Sequence, residues 1–261
     1  MRAVAAGLSD VGKERKHNED RYILLPEFGV FVVADGMGGH QSGEVASRMA
    51  ASTVAGYFRA TGRTRSVRES LVSALSDANA KIFARADDSR AHRGMGTTVV
   101  AAAYCPGDQM LYIAHAGDSR CYRIRDARME QLTRDHSLLQ DALLERPDLT
   151  ESDLAYLPRN VITRALGIGP SVELDVRAEP VLPGDCFLLC SDGLHGLVTD
   201  EDIVKIVIGA PTLTEACREL IKRANANGGK DNVTSVLIRI EDEDAPWAPQ
   251  PPISKAPPSQ G

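Results

Sequence analysis

Apolar positions follow two rhythms along this chain. Between Ser42 and Ala60, Val45, Met49 and Ala50 recur on one face of a 3.6-residue repeat, and between Val67 and Ala86, Leu71, Leu75, Ala78 and Ile82 do the same. Both segments predict amphipathic helices, and their adjacency predicts an antiparallel pair. Elsewhere apolar residues form short runs closed by turn residues. GVFVVA at 29–34 reads as a buried strand stopped by Asp35-Gly36-Met37-Gly38-Gly39. TTVVAAAYC at 97–105, QMLYIAHAG and SRCYRIRDARMEQL read as successive antiparallel strands, broken at Pro106-Gly107 and Gly117-Asp118. VELDVRAEP, CFLLC and VTSVLIRI predict further strands, and 200–208 and 212–224 predict helices, while 136–158 is mixed, partly helical and interrupted at Pro147 and Pro158. Strands and helices come in blocks, without the alternation of a doubly wound sheet. That order predicts an α+β layered sandwich with helices packed outside the sheets.

The 261 residues, 43% of them hydrophobic, are enough for a sizeable core. The net charge of −6 is unevenly spread: EDEDAPWAPQPPISKAPPSQG at 241–261 has four acids, one Lys and six of the 14 prolines. Lacking periodic apolar residues, this segment is expected to be a disordered acidic, Pro-rich tail behind a folded unit at 1–240. No basic block supports general nucleic-acid binding, and no apolar run approaches the roughly 20 residues of a membrane span. The N-terminus lacks a signal peptide's apolar stretch, and five cysteines scattered at 105, 121, 186, 190 and 217 read as reduced thiols, so a cytoplasmic location is expected. Cys186 and Cys190 sit in a strand that reads as buried packing. With no heptad seam, a monomer is expected.

The chemistry gathers at strand ends. Asp35, Asp118, Asp192 and Asp231 each adjoin a β-like run and a Gly- or Asn-containing turn. Singly, each is a common turn residue. Together at one rim of a sandwich they repel unless cations neutralise them, and all-oxygen ligands suit Mg²⁺ or Mn²⁺.

Arg15-Lys16-His17-Asn18-Glu19-Asp20, Asp35-Gly36-Met37-Gly38-Gly39-His40, Gly94-Met95-Gly96-Thr97-Thr98, Gly117-Asp118-Ser119-Arg120, Ser191-Asp192-Gly193 and Asp231-Asn232 follow one another in an order that strongly resembles the metal-dependent type 2C protein Ser/Thr phosphatases, in their bacterial form. The resemblance spans roughly residues 3–240. It implies a four-layer αββα sandwich, two antiparallel sheets flanked by helix pairs, with the metals at one end. It also implies hydrolysis of phosphoserine and phosphothreonine on proteins by a metal-bridging water, opposing a bacterial Ser/Thr kinase.

Residue by residue, Asp35 resembles the carboxylate that bridges two Mn²⁺ or Mg²⁺ ions, and Gly36 a carbonyl ligand. Asp192 and Asp231 resemble the ligands that complete the first metal. Asp20, with Glu19 beside it, resembles the acidic pair that meets the second through water. Asp118 matches the position tied to a third, weaker ion in bacterial relatives, Arg15 matches the residue that holds the substrate phosphate, and Asn232 follows Asp231 as a supporting residue. The general acid is open: Met37 stands where eukaryotic relatives carry His and cannot donate a proton. His40 or a water can serve, or His40 simply opens a helix. The segment from Ser137 to Leu166 matches a flap in bacterial relatives, and its mixed charge, including Glu145, Arg146, Asp148, Glu151, Asp153, Arg159 and Arg164, fits either substrate selection or a solvated surface helix. Two other functions remain open at this level: a small-phosphoester or nucleotide hydrolase, and a pseudophosphatase that binds phosphoproteins without cleaving them.

Overall fold

The computed structural model describes residues 1–38, 42–62, 66–88, 92–148, 150–154, 157–158 and 161–242. His40, Gly39, Arg159 and most of the expected tail lie outside these residues. Two sheets form the centre. One has the order β1 (Arg2–Asp10), β11 (Val233–Glu241), β10 (Cys186–Cys190), β7 (Arg120–Arg125), β8 (Arg128–Gln131). The other runs β2 (Asp20–Leu25), β3 (Val30–Met37), β5 (Val99–Cys105), β6 (Met110–Ala116), β9 (Asp175–Pro180), and the short β4 (Gly96–Thr97) pairs with the end of β3. All recorded ladders are antiparallel.

The central strands β3, β5, β10 and β11 are buried on both faces, which is why they read as unbroken apolar runs. Along β3, Val30, Val32 and Ala34 face the helix pair α1 (Ser42–Thr61) and α2 (Val67–Asp87), while Phe31 and Val33 face the other sheet. Phe187, Leu189, Val236 and Ile238 meet them from β10 and β11. On the far side, α6 (Asp200–Gly209) and α7 (Leu213–Ala226) cover the first sheet through Ile203, Val207, Leu220 and Ala224. These are the four layers expected. Both predicted helices before Gly94 appear, with Ser66 capping α2 through the Glu69 N–H.

Four local readings change. The strand that carries Asp35 continues through Gly36 to Met37, so Asp35-Gly36 lies in a ladder and not in a turn. SRCYRIRDARMEQL is a hairpin, β7–β8, turned at Asp126 and Ala127, both at positive φ (50° and 60°). β1 and β2 were not anticipated, because Ala-rich RAVAAGLSD has little β-branched character and DRYILL no clean alternation. β11 runs on to Glu241, which pairs with Arg2 at 3.0 Å, so the first residue assigned to the tail belongs to the sheet.

One close approach fixes the helix pair against the strand that carries Asp35. A Cβ on Gly36 would lie 2.1 Å from the Gly43 carbonyl oxygen and 2.8 Å from that of Glu19. Only glycine lets α1 begin there. Gly56, also in α1, has open space around it. Gly36→Ala is therefore expected to lower the melting temperature by at least about 5 °C, while Gly56→Ala raises it by a few degrees through roughly 1 kcal/mol of helix propensity. Thermal unfolding of the two variants checks both signs.

Candidate metal centre

At one end of the sandwich a cleft of about 430 Å³ is lined by Asp35, Asp118, Asp192 and Asp231, with Arg15, Lys16, His17 and Glu19 on its rim and Gly36, Met37, Thr98, Ile162 and Asn232 among its other walls. The acids arrive from both sheets. Asp35 comes from β3, Asp192 opens the one-turn helix α5 (Asp192–His195) after β10, and Asp231 precedes β11. Asp118 sits in the β6–β7 turn, where the chain passes from one sheet to the other.

Hydroxyls and backbone hold these acids from behind. Thr98 N–H and Thr97 Oγ1 both donate to the Asp35 carbonyl, at 2.8 and 2.9 Å, which accounts for the Gly-Thr-Thr run. Asp20 stands across the ladder from Asp35, 1% exposed. Its Oδ2 accepts hydrogen bonds from Ser191 Oγ at 2.7 Å and Thr234 Oγ1 at 2.6 Å. Asp20 is thus packed behind Asp35, and of the expected acidic pair it is Glu19 that lines the cleft. The Ser before Asp192-Gly193 owes its place to this bond.

Asn232 lines the cleft and supports it through the backbone. Its Nδ2 donates to the carbonyls of Val11 and His17, both at 2.9 Å, and its Oδ1 accepts the Glu19 N–H at 2.8 Å, so it staples the loop that carries Arg15. Arg15 is half-exposed and pairs with Asp231 through Nη2–Oδ2 at 2.7 Å. Sequence reading missed Lys16 and His17 as rim residues, although they adjoin Arg15. Met37 lines the cleft, and His17 is the histidine that does so among the described residues. Cys186 and Cys190 are buried in β10 and do not line the cleft, although Cys190 stands two residues before Asp192, and burial pushes the Cys186 thiol up to about 12.

The electrostatics fit cations. Burial, and then the charges of Asp20, Asp192, Asp118 and Asp231, hold the Asp35 carboxyl well above the usual carboxylate range. Burial, with Asp192 next, pushes Asp118 up to about 7; burial lifts Asp20 to about 6 against the pull of its hydroxyl donors. Asp192 is raised by burial and by Asp231. Asp20 Oδ1 and Asp192 Oδ1 are buried without a hydrogen-bond partner. An all-oxygen set with orphaned, mutually repelling acceptors suits hard divalent ions.

The protein phosphatase 2C family profile matches residues 13–237. The serine/threonine phosphatase stp of Listeria innocua is 36% identical over 237 residues, covering 88% of this chain and 93% of its own. The serine/threonine phosphatase PstP/Ppp of Mycobacterium tuberculosis superimposes with a TM-score of 0.83 at 33% identity, over 93% of this chain and all of its own. A structure of the catalytic domain of PstP in complex with two manganese ions superimposes at 0.79 with 32% identity, over 92% and 99% of the two chains.

Carboxylates whose folded pKa is raised bind protons more tightly in the folded state, so their contribution to stability is greatest in acid and is lost as pH rises. Chelator-stripped protein is expected to lose several degrees of melting temperature as pH rises from about 4 to about 7, the window set by Asp20 and Asp118. Added Mn²⁺ should raise the melting temperature more at pH 8 than at pH 5. Thermal unfolding across pH, with and without the ion, measures both.

Proposed function

Because the chain belongs to the protein phosphatase 2C family, and is thereby a metal-dependent protein serine/threonine phosphatase, we propose that the cleft between the two sheets is its catalytic centre. Asp35 and the Gly36 carbonyl, Asp192 and Asp231 are the residues that would hold two divalent ions, with Glu19 on the rim and Asp20 fixing Asp35 from behind. Asp118 is assigned to a third, weaker ion. The single observation behind this reading is the convergence of the four cleft aspartates from different strands and turns on one cavity.

The ions, when bound, would supply a water of near-neutral pKa and Lewis-acid stabilisation of charge on phosphorus oxygens. The chain's own residues do the rest. Arg15, already poised over the acids, presents a planar guanidinium that can meet two phosphate oxygens with parallel N–H groups. Lys16 adds a second positive charge to the rim. Asn232 and the Thr97-Thr98 pair keep the loop and the strand from drifting, so that the acids and Arg15 meet the phosphate in one geometry. No protein nucleophile is required.

We further infer that Ile162, which lines the cleft from the segment between α3 (Leu138–Glu145) and β9, contacts the substrate chain, and that Ser137–Leu166 selects among phosphoproteins. A Ser/Thr kinase must supply such substrates. Action of the phosphatase in the cytoplasm is supported by five cysteines that form no disulfide, four of them buried. Among the described residues no helix is long and apolar enough to cross a membrane. Mn²⁺ is taken as the working ion because a similar structure holds two of them.

Asp35→Asn and Asp192→Asn are expected to lower Mn²⁺-dependent turnover of a phosphothreonine peptide at least about a thousand-fold while the fold persists. Full activity in either would remove the mechanism. Arg15→Lys should raise KM for the phosphopeptide about ten-fold with a smaller change in kcat. Steady-state kinetics beside circular dichroism provides both readings, and a higher kcat/KM for p-nitrophenyl phosphate than for the peptide would favour a small-ester hydrolase.

A further inference from the structure

The turn that carries Asp118 is gripped by a residue with no part in the phosphoryl chemistry. β6 ends at Ala116 and β7 begins at Arg120, so Gly117 has no ladder partner. Gly117 is held at φ 112°, where a Cβ would come 2.5 Å from Thr98 Cβ. His136 supplies the missing bonds: its main-chain N–H donates to the Gly117 carbonyl at 3.0 Å, and its Nδ1 accepts the Gly117 N–H at 3.2 Å. The same residue grips the far stem of the flap-like segment. Its carbonyl accepts the Thr163 N–H at 2.9 Å, and the next residue, Ser137, is bridged to Ile162, which lines the cleft.

The ring itself is locked. Because Nδ1 accepts, the proton of the neutral imidazole sits on Nε2, which faces Asp175 Oδ2 at 3.3 Å. Arg164 Nη1 holds Asp175 at 3.0 Å. His115 stacks on the ring, with centroids 4.6 Å apart and 12° between planes, and anchors itself through Nε2–H to the Arg134 carbonyl at 2.8 Å. His136 is 1% exposed, and burial lowers the pKa of both imidazoles.

His115, His136 and Asp175 bring ligand-capable atoms within 4.8 Å of one another. Two facts argue against a cation there. One nitrogen of His136 accepts a backbone proton while the other carries its own, and near-parallel rings aim their in-plane lone pairs along separate planes. The cluster is a fastening.

We propose that His136 is a positioning residue for the catalytic cleft, fixing the Gly117-Asp118 turn and the 161–163 edge in one geometry and thereby setting the affinity of Asp118 for its cation. This rests on the assignment of Asp118 to a weak ion. The Gly117 N–H sets the tautomer, and Asp175 Oδ2, 3.3 Å from Nε2 without hydrogen-bond geometry, adds a favourable charge beside the Nε2 proton.

The test compares His136→Ala, His136→Asn, His136→Leu and Asp118→Asn with the parent chain by Mn²⁺ titration, read by calorimetry and by electron paramagnetic resonance of free Mn²⁺. His136→Ala is expected to weaken the weakest Mn²⁺ site about 10- to 100-fold, the range typical of residues behind a metal ligand, and to leave the tighter sites in place. His136→Asn, whose Oδ1 can accept the Gly117 N–H, should recover most of that loss. Equal weakening in His136→Ala and His136→Asn, or none in His136→Ala, overturns the proposal. Asp118→Asn losing the weak site while His136→Ala keeps it overturns positioning alone; Asp118→Asn keeping it overturns the assignment of Asp118 and the proposal with it. Should His136→Ala fail to fold, His136→Leu, which fills the buried space but offers no acceptor to the Gly117 N–H, carries the same comparison with His136→Asn: a weakened weak site supports the proposal and an unchanged one overturns it.

Discussion

Like charges forced together at the end of a sandwich are the constraint on which the rest of this structure depends. Asp20, Asp35, Asp118 and Asp192 are desolvated and close enough to raise one another's pKa. A pair of unit charges at about 4 Å costs on the order of 4 kcal/mol even at an effective dielectric of about 20. Several such pairs would rival the whole stability of a domain, about 5–15 kcal/mol. The cluster can therefore exist only with protons or cations in it. At neutral pH the cations are the better neutraliser, since protons would be held only weakly near pH 7 by Asp118 and Asp20. An acidic site built this way has its sign reversed by what it binds, and only then, with Arg15 and Lys16 at the rim, does it attract a phosphate dianion.

Holding the acids against that repulsion explains why small and hydroxyl residues surround them. Ser191 and Thr234 neutralise part of Asp20 by hydrogen bonding, and Thr97 and Thr98 fix the Asp35 backbone. Glycines allow the close approaches: a Cβ on Gly193 would lie 2.0 Å from the Asn232 carbonyl oxygen, much as one on Gly36 would meet Gly43. The short motifs around each aspartate are thus largely scaffolding, one ligand with the residues that let backbone and hydroxyls reach it.

Much of this was legible in the sequence where local rules and tertiary demand agree. Leu71, Leu75, Ala78 and Ile82 marked α2 because one helical face does all its packing. Asp35, Asp118, Asp192 and Asp231 could be picked out by their place at strand ends. The limits were equally physical. β1 was invisible because Val4 is its one β-branched residue and Ala3, Ala5 and Ala6 do much of its packing against β11 and its neighbours. Asp35-Gly36 reads as a turn dipeptide, yet β4 pairs with it and keeps it extended. Asp20 and Glu19 are adjacent, so alternation along β2 had to send one inward, and only the register Asp20↔Asp35 decides which. His136 offered no motif of its own, since its partners lie at Gly117 and Asp175.

Those last partners share a logic with Asn232. Where a chain leaves one sheet for the other it also leaves the ladders, and its peptide groups need other partners. Three crossings reach the cleft: the β1–β2 loop that brings Arg15 and Glu19, the β6–β7 turn that brings Asp118, and the β8–β9 segment that brings Ile162. In the first, Asn232 takes the Glu19 N–H and gives to Val11 and His17; in the second, His136 takes the Gly117 N–H and turns its other nitrogen to Asp175, while His195 Nε2 meets the Asp118 carbonyl at 3.1 Å. Crossings give the site residues freedom to reach between sheets that ladders would deny, and a buried amide or imidazole then removes the excess freedom. The candidate metal centre sits where the two sheets exchange chain, each crossing delivering part of its wall.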